Sequence, residues 1–190
     1  MVQNHKIILG SASPRRKELL KGLDLDFEVD SRSDFDEVCP PGTPAEEVPM
    51  LFARGKSEHF HRPLEKDEIL ITADTVVILD GRALGKPHSR DEAVSMLRAL
   101  SGRKHEVRTA VCLRSLDKFR IFSVGSTVCF DELSEEEISY YIDKYKPYDK
   151  AGAYGIQEWI GYVGISGIEG SYFNVMGLPV QRLWKELRTF

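Results

Sequence analysis

The sequence predicts a mixed α/β fold. Apolar runs of strand length alternate with helix-period stretches through the first half, two long β-rich stretches joined by a short turn open the second half, and a glycine-rich segment precedes a final helix. Residues 6–10, Lys-Ile-Ile-Leu-Gly, read as a buried strand. The helix near 14–22 begins where Ser13 suits an N-cap, its hydroxyl taking up an orphan amide, and where Pro14 suits the first helical position. A strand near 26–30, a helix near 44–60, a strand near 68–79 and a helix near 89–100 continue the alternation. The β-rich stretches 106–115 and 118–130 meet at Leu116-Asp117 in a hairpin, which breaks a simple doubly wound scheme. Ser134 and Glu137 stand at capping-box spacing and open a helix to about Lys144. Across 151–177, Gly152, Gly155, Gly161, Gly164, Gly167 and Gly170 allow tight turns or close approach of backbone to a ligand. A last helix spans about 178–187. With no internal repeat or flexible linker, the chain reads as one domain over 1–190, its halves coupled by packing, and a cleft between them is the natural ligand site.

Composition narrows the class. At 190 residues the chain is long enough to bury a substantial core, and 42% hydrophobic with 29% charged residues is the balance of a soluble globular protein. No apolar run approaches the roughly 18 residues of a membrane span. The first residues lead into a strand without the apolar stretch of a signal peptide, so a cytoplasmic protein is expected, without membrane association. Cys39, Cys112 and Cys129 are odd in number and lack paired metal-ligand spacing. A net charge of −4 argues against broad nucleic-acid binding, while local basic clusters can still hold one small anion.

The chemistry concentrates in a few places. At the start of the first helix, free N–H groups and the guanidiniums of Arg15 and Arg16 converge as a polyphosphate would require; the same pattern also fits an ordinary capped helix with a solvated basic face. Asp74 interrupts the apolar run 69–79, and a carboxylate there needs a partner: it is a catalytic base, a metal ligand or a structural carboxylate beside Thr72 and Thr75. Lys86 follows Gly85 in a turn, Lys56 lies on a helix, and Asp36-Glu37 sit in the preceding loop. Taken singly these are ordinary solvated groups; together they suit phosphate and Mg²⁺, which takes one or two carboxylates plus substrate oxygens. There is no Walker loop, dinucleotide fingerprint or nucleophile elbow, and the five histidines lack metalloprotease spacing and are expected on the surface.

Four motifs in order, Ser11-Ala12-Ser13-Pro14-Arg15-Arg16, Ala73-Asp74-Thr75-Val76-Val77, Gly85-Lys86-Pro87 and Ala151-Gly152-Ala153-Tyr154-Gly155-Ile156-Gln157, resemble the Maf family of nucleoside triphosphate pyrophosphatases. The ending 168–179 also looks like that family's closing signature, and the resemblance spans nearly the whole chain. It implies a long curved mixed β-sheet flanked by helices, two lobes around a deep cleft, similar to inosine triphosphate pyrophosphatases. It further implies metal-assisted hydrolysis, with Mg²⁺ or Mn²⁺, between the α and β phosphates of a nucleoside triphosphate, and a homodimer. Asp74 matches the family's proton acceptor. Arg15, Thr75 and Gln157 match positions linked to substrate choice, and Ser11, Ser13, Arg16, Lys56 and Lys86 match its phosphate-holding residues. Glu37 matches an acidic cleft position that the adjacent Asp36 fills in a shifted alignment. The metal ligands are left unassigned.

The Ala-Gly-Ala-Tyr-Gly-Ile-Gln form resembles the branch acting on dTTP and UTP, and the Gln157 amide complements the imide edge of uracil or thymine. The segment 158–167 departs from the shorter link expected in the family and bears on base selectivity or a dimer surface; Trp159 within it is expected in a core or interface. Two other readings differ in substrate or class: hydrolysis of 7-methyl-GTP or another noncanonical purine triphosphate, and a nucleotide-binding regulator of septum formation without turnover.

Overall fold

The structure, a computed structural model, describes residues 5–190; residues 1–4, part of the segment read for a signal peptide, lie outside it. Seven strands form one mixed sheet, as the alternating pattern predicts. They are β1 (Lys6–Leu9), β2 (Phe27–Val29), β3 (Glu68–Leu79), β4 (Arg82–Leu84), β5 (Lys104–Arg114), β6 (Phe119–Phe130) and β7 (Ile165–Glu169). The order is β2-β1-β3-β5-β6-β7, with β4 also pairing β3. The first three strands in that order are parallel, whereas β5, β6 and β7 continue antiparallel. The expected hairpin joins β5 to β6 through residues 115–118, where Ser115 N–H donates to Lys118 O at 2.9 Å.

Helices cover both faces: α1 (Pro14–Lys21), α2 (Val48–Glu58), α3 (Arg90–Leu100), α4 (Glu135–Tyr145), α5 (Trp159–Val163), α6 (Tyr172–Met176) and α7 (Val180–Leu187). Strand alternation decides which side chain meets which layer. The odd-numbered Ile69, Ile71, Ala73, Val77 and Leu79 of β3 enter the main core with Leu20, Leu97, Ile142 and Leu183 from α1, α3, α4 and α7. Even-numbered Leu70, Val76 and Ile78 pack in smaller clusters on the opposite face, and Thr72 Oγ1 donates to Ala53 O of α2 at 2.6 Å. The Ser134 capping box of α4 forms as the spacing predicts.

Three expectations are corrected and one, for 151–177, is extended. Helix α2 begins at Val48, not near 44, because residues 44–47 form only a turn. The segment 151–177 contains a 3-10 turn (Ala151–Ala153), two five-residue helices and an edge strand, whose glycines mask the periodicity that would reveal them. Ser13 occupies the N-cap of α1, but its hydroxyl caps nothing; instead its N–H donates to Ser11 Oγ at 3.3 Å. His105 is not on the surface. It is 4% exposed, wedged edge-on between Phe130 and Tyr154.

Candidate active site

A break in strand pairing makes the cleft. Strand β1 accompanies β3 only as far as the Leu9–Ile71 pair, and β4 joins that same edge at Val77. Between them, residues 72–76 carry no strand neighbour on that edge, and the chain leaving β1 turns away into α1. The resulting cavity has a volume of about 460 Å³, and the ten side chains matched to the family's catalytic and substrate positions, from Ser11 to Gln157, line it, whereas Asp36 does not. Five cationic side chains, Arg15, Arg16, Lys56, Lys86 and Lys150, face three carboxylates, Glu37, Asp74 and Asp149. That surplus of positive charge suits a polyanion.

Asp74 sits at mid-strand with even parity, so it points to the α2 side, where Lys56 Nζ donates to its Oδ1 at 2.7 Å. The same ammonium holds Glu37 Oε1 at 2.9 Å. Asp74 keeps 13% of its side-chain surface open to the cleft. Burial raises its proton affinity, an effect opposed by the charges of Lys56 and Arg16. Such a carboxylate is suited to receive a proton. At Glu37 burial acts in the same upward direction, but the hydrogen bond and charge of Lys56, with Lys86 and Arg16 further off, hold this carboxylate below its usual range. The Glu37 loop is placed by Phe35, whose ring lies over Gly55 of α2 so closely that a Cβ there would fall 2.2 Å from it.

Thr75, of odd parity, points the other way and joins a different network. Arg16 Nη2 donates to Thr75 Oγ1 at 3.1 Å, and Thr109 Oγ1 donates to Asn174 O at 3.0 Å. The 2.9 Å contact between the two threonines is therefore donated by Thr75. Arg16 also donates to Ala73 O at 2.8 Å, to Gly177 O at 2.9 Å and to Ser11 Oγ at 3.3 Å. Most of its fork is thus engaged within the protein, where it satisfies a carbonyl on the open edge of β3 and ties the end of α6 to it. Burial lowers the Arg16 guanidinium from its ordinary value, with Asp74 opposing. Arg15 also lines the cleft and donates to Asp149 Oδ2 at 2.9 Å. Lys86, exposed at the mouth, makes no salt bridge among the described residues.

The far wall is the loop after α4. Gly152 adopts φ 67°, and a Cβ there would meet Val77 at 2.8 Å, so the loop can lie directly on β3 only with glycine. Tyr154 is pinned by a 2.7 Å hydrogen bond to His105 Nε2. Burial lowers that imidazole to about 4. Gln157 presents a buried Oε1 with no hydrogen-bond partner among the described residues. Behind it Lys150 bridges Asp149 Oδ1 at 2.7 Å and Glu158 Oε1 at 3.1 Å, while Tyr141 Oη donates to Glu158 Oε2 and accepts from Gly155 N–H at 2.9 Å. Lys150, Glu158, Asp149 and Phe35 were not legible in the sequence, where lone charges read as solvated. Trp159 packs edge-on against Tyr140 at 4.9 Å and partly joins the core, as expected.

No cluster of three or more His, Cys, Asp or Glu side chains able to hold a metal occurs among the described residues. Asp74 and Glu37 share one ammonium, which fits a cation completed by substrate oxygens rather than a preformed cage. No helix among the described residues is long and apolar enough to cross a membrane.

Comparison with known proteins places the chain. A dTTP/UTP pyrophosphatase of Parabacteroides distasonis is 54% identical over 189 residues, covering 100% of this chain and 98% of that protein. Relatives with the same name from Porphyromonas gingivalis and Phocaeicola vulgatus are each 54% identical, covering 100% and 98% of this chain and 96% and 97% of their own lengths. A solved HAM1 protein from Coxiella burnetii is 16% identical with a TM-score of 0.41, covering 66% of this chain and 73% of that chain. The family described as Maf-like protein matches residues 6–190, and the chain belongs to it.

Proposed function

We propose that this protein is a nucleoside triphosphate pyrophosphatase that hydrolyses dTTP and UTP between the α and β phosphates, one domain carrying the whole site. The names of its full-length relatives support the reaction and the bases. The observation that carries the proposal is the placement of Asp74: a buried carboxylate of raised proton affinity, gripped by Lys56, at the floor of a cleft with surplus positive charge.

In the proposed reaction Asp74 takes a proton from a water as its oxygen bonds to the α-phosphorus. The bond from that phosphorus to the bridging oxygen breaks, and its electron pair leaves with pyrophosphate. Lys56 fixes the carboxylate that receives the proton, while Arg15 and Lys86 offer charge to the departing phosphates. Arg16 contributes chiefly by holding Thr75, Ser11 and the open β3 edge in place. Ser13, at the N-terminus of α1, presents helix amides to phosphate. Asp74 and Glu37 would hold the divalent cation, Mg²⁺ or Mn²⁺, which supplies neutralisation of phosphate charge.

On the base side, Gln157 lines the cavity, and its amide offers the donor and acceptor that complement the imide edge of uracil or thymine. This favours pyrimidines over the 7-methyl-GTP reading. A homodimer in the cytoplasm completes the proposal. Exposed Tyr162, Val163, Ile168, Tyr172 and Phe173 gather around edge strand β7 and support a second copy there. Pyrophosphate release from dTTP and UTP, lost in Asp74→Asn, tests the reaction; sedimentation of the purified chain tests the dimer.

A further inference from the structure

Two adjacent arginines stand in the first turn of α1, and the fold uses them differently. The fork of Arg16 is taken up by Ala73 O, Gly177 O and Thr75 Oγ1. Arg15 makes one side-chain hydrogen bond among the described residues, from Nη1 to Asp149 Oδ2 at 2.9 Å. Its Nε–H and the adjacent Nη2–H have no protein partner there, and that edge is one with which a guanidinium grips two phosphate oxygens at once. Arg15 lines the cleft with Ser11, Ser13 and Lys86, and its side chain is 22% exposed. An arginine on a helix surface samples many rotamers, so its use as a phosphate clamp depends on what holds it.

Asp149 is placed to hold it. A single exposed ion pair would fix little, but this carboxylate bridges two cations. Its Oδ1 accepts from Lys150 Nζ at 2.7 Å while Oδ2 accepts from Arg15. Lys150 is 7% exposed, and its ammonium is fixed from the other side by Glu158 Oε1 at 3.1 Å. Glu158 is held in turn by the hydroxyl of the buried Tyr141. Direct contacts therefore run from the core, through Tyr141, Glu158, Lys150 and Asp149, to Arg15, and tie the base-side loop to the first turn of α1. Burial acts upward on the Asp149 carboxyl, but the hydrogen bonds of Lys150 and Arg15 hold it below its ordinary range.

We propose that Asp149, braced by Lys150, is the positioning residue that holds Arg15 by Nη1 and so presents its Nε–Nη2 edge to the departing pyrophosphate. The inference rests on the pyrophosphatase reading above. Its test is the inhibition of UTP turnover by the two products, inorganic pyrophosphate and UMP, at fixed free Mg²⁺ in the parent, Asp149→Asn, Arg15→Met and doubly substituted proteins. Asp149→Asn keeps the shape of the side chain, but one amide oxygen cannot accept from Arg15 and Lys150 together. As charge alone, losing a carboxylate from a cleft that takes a polyanion would tighten pyrophosphate; loss of positioning has the opposite sign. The inhibition constant of pyrophosphate is expected to rise about tenfold, with a similar fall in kcat/KM for UTP, while that of UMP stays unchanged. In the Arg15→Met background, Asp149→Asn is expected to weaken pyrophosphate no further, because it acts through a guanidinium no longer there. Pyrophosphate held as tightly as in the parent, or more tightly, overturns the inference. So does equal weakening of both products, which marks a loosened loop, or a full further loss in the Arg15→Met background. Should Asp149→Asn not fold, Asp149→Ser removes both contacts and is read against the same outcomes. A parent that releases no pyrophosphate from UTP refutes the functional reading, and this inference with it; an active parent whose Asp149 variants bind pyrophosphate normally refutes the inference alone.

Discussion

Acid should loosen the base-side wall of the cleft through His105. Its imidazole is held neutral by burial, with a proton affinity lowered from the ordinary 6.5 to about 4. Between those values the unfolded chain binds a proton that the folded chain refuses, so stability contributed above pH 6.5 is lost as pH falls toward 4. At about 1.4 kcal/mol per pH unit, one proton over that window removes about 3 kcal/mol. The variant that isolates this effect is His105→Phe with Tyr154→Phe, which removes the titrating ring and the hydroxyl it would orphan at 2.7 Å. Urea unfolding at pH 7.5, 5.5 and 4.5 should show the parent losing about 3 kcal/mol more than the double variant as pH falls. Identical pH slopes in the two proteins would refute the assignment of that proton to His105.

Three further changes probe the cleft. Gly55→Ala puts a methyl group 2.2 Å from the Phe35 ring, so the ring and the Glu37 loop must move; a stability loss of about 2 kcal/mol in urea unfolding and weaker metal-dependent turnover are expected. Arg16→Lys cannot reproduce a fork that reaches Ala73 O, Gly177 O and Thr75 Oγ1, and a lower melting temperature should appear even without nucleotide. Gln157→Ala should narrow the gap in kcat/KM between pyrimidine and purine triphosphates while leaving pyrophosphate as the product.

The sequence showed the parts of the site that violate a local rule. Asp74 stood out because a carboxylate in an apolar strand costs free energy, and the structure explains it through an ammonium on α2 reached by even parity. The sheet was legible to the same degree, since β3, β5 and β6 are long and periodic. What escaped is long-range or glycine-masked. Arg15 and Asp149 meet across 134 positions of chain, and nothing local to either announces the other. Ser13 looked like a capping side chain from its neighbours alone, yet its N–H is drawn to Ser11 and its hydroxyl leaves the helix uncapped. Arg16 read as a phosphate ligand from its place on α1, and it does line the cleft; its further partners on β3 and beyond α6 were not visible from there. His105 alternates with charged residues on β5 and so shares the face of Val107 and Thr109; the surface reading passed over that parity, and the loop carrying Tyr154 covers that face.

The central claim is most directly tested by pyrophosphate release from dTTP, UTP, CTP, GTP, ITP and 7-methyl-GTP, with Mg²⁺ or Mn²⁺ and a chelated control, for the parent and Asp74→Asn proteins. The account predicts metal-dependent release favouring dTTP and UTP, falling about a thousandfold in Asp74→Asn while the nucleotide still raises the melting temperature. Turnover in Asp74→Asn near that of the parent, or no release from any nucleotide, would contradict it.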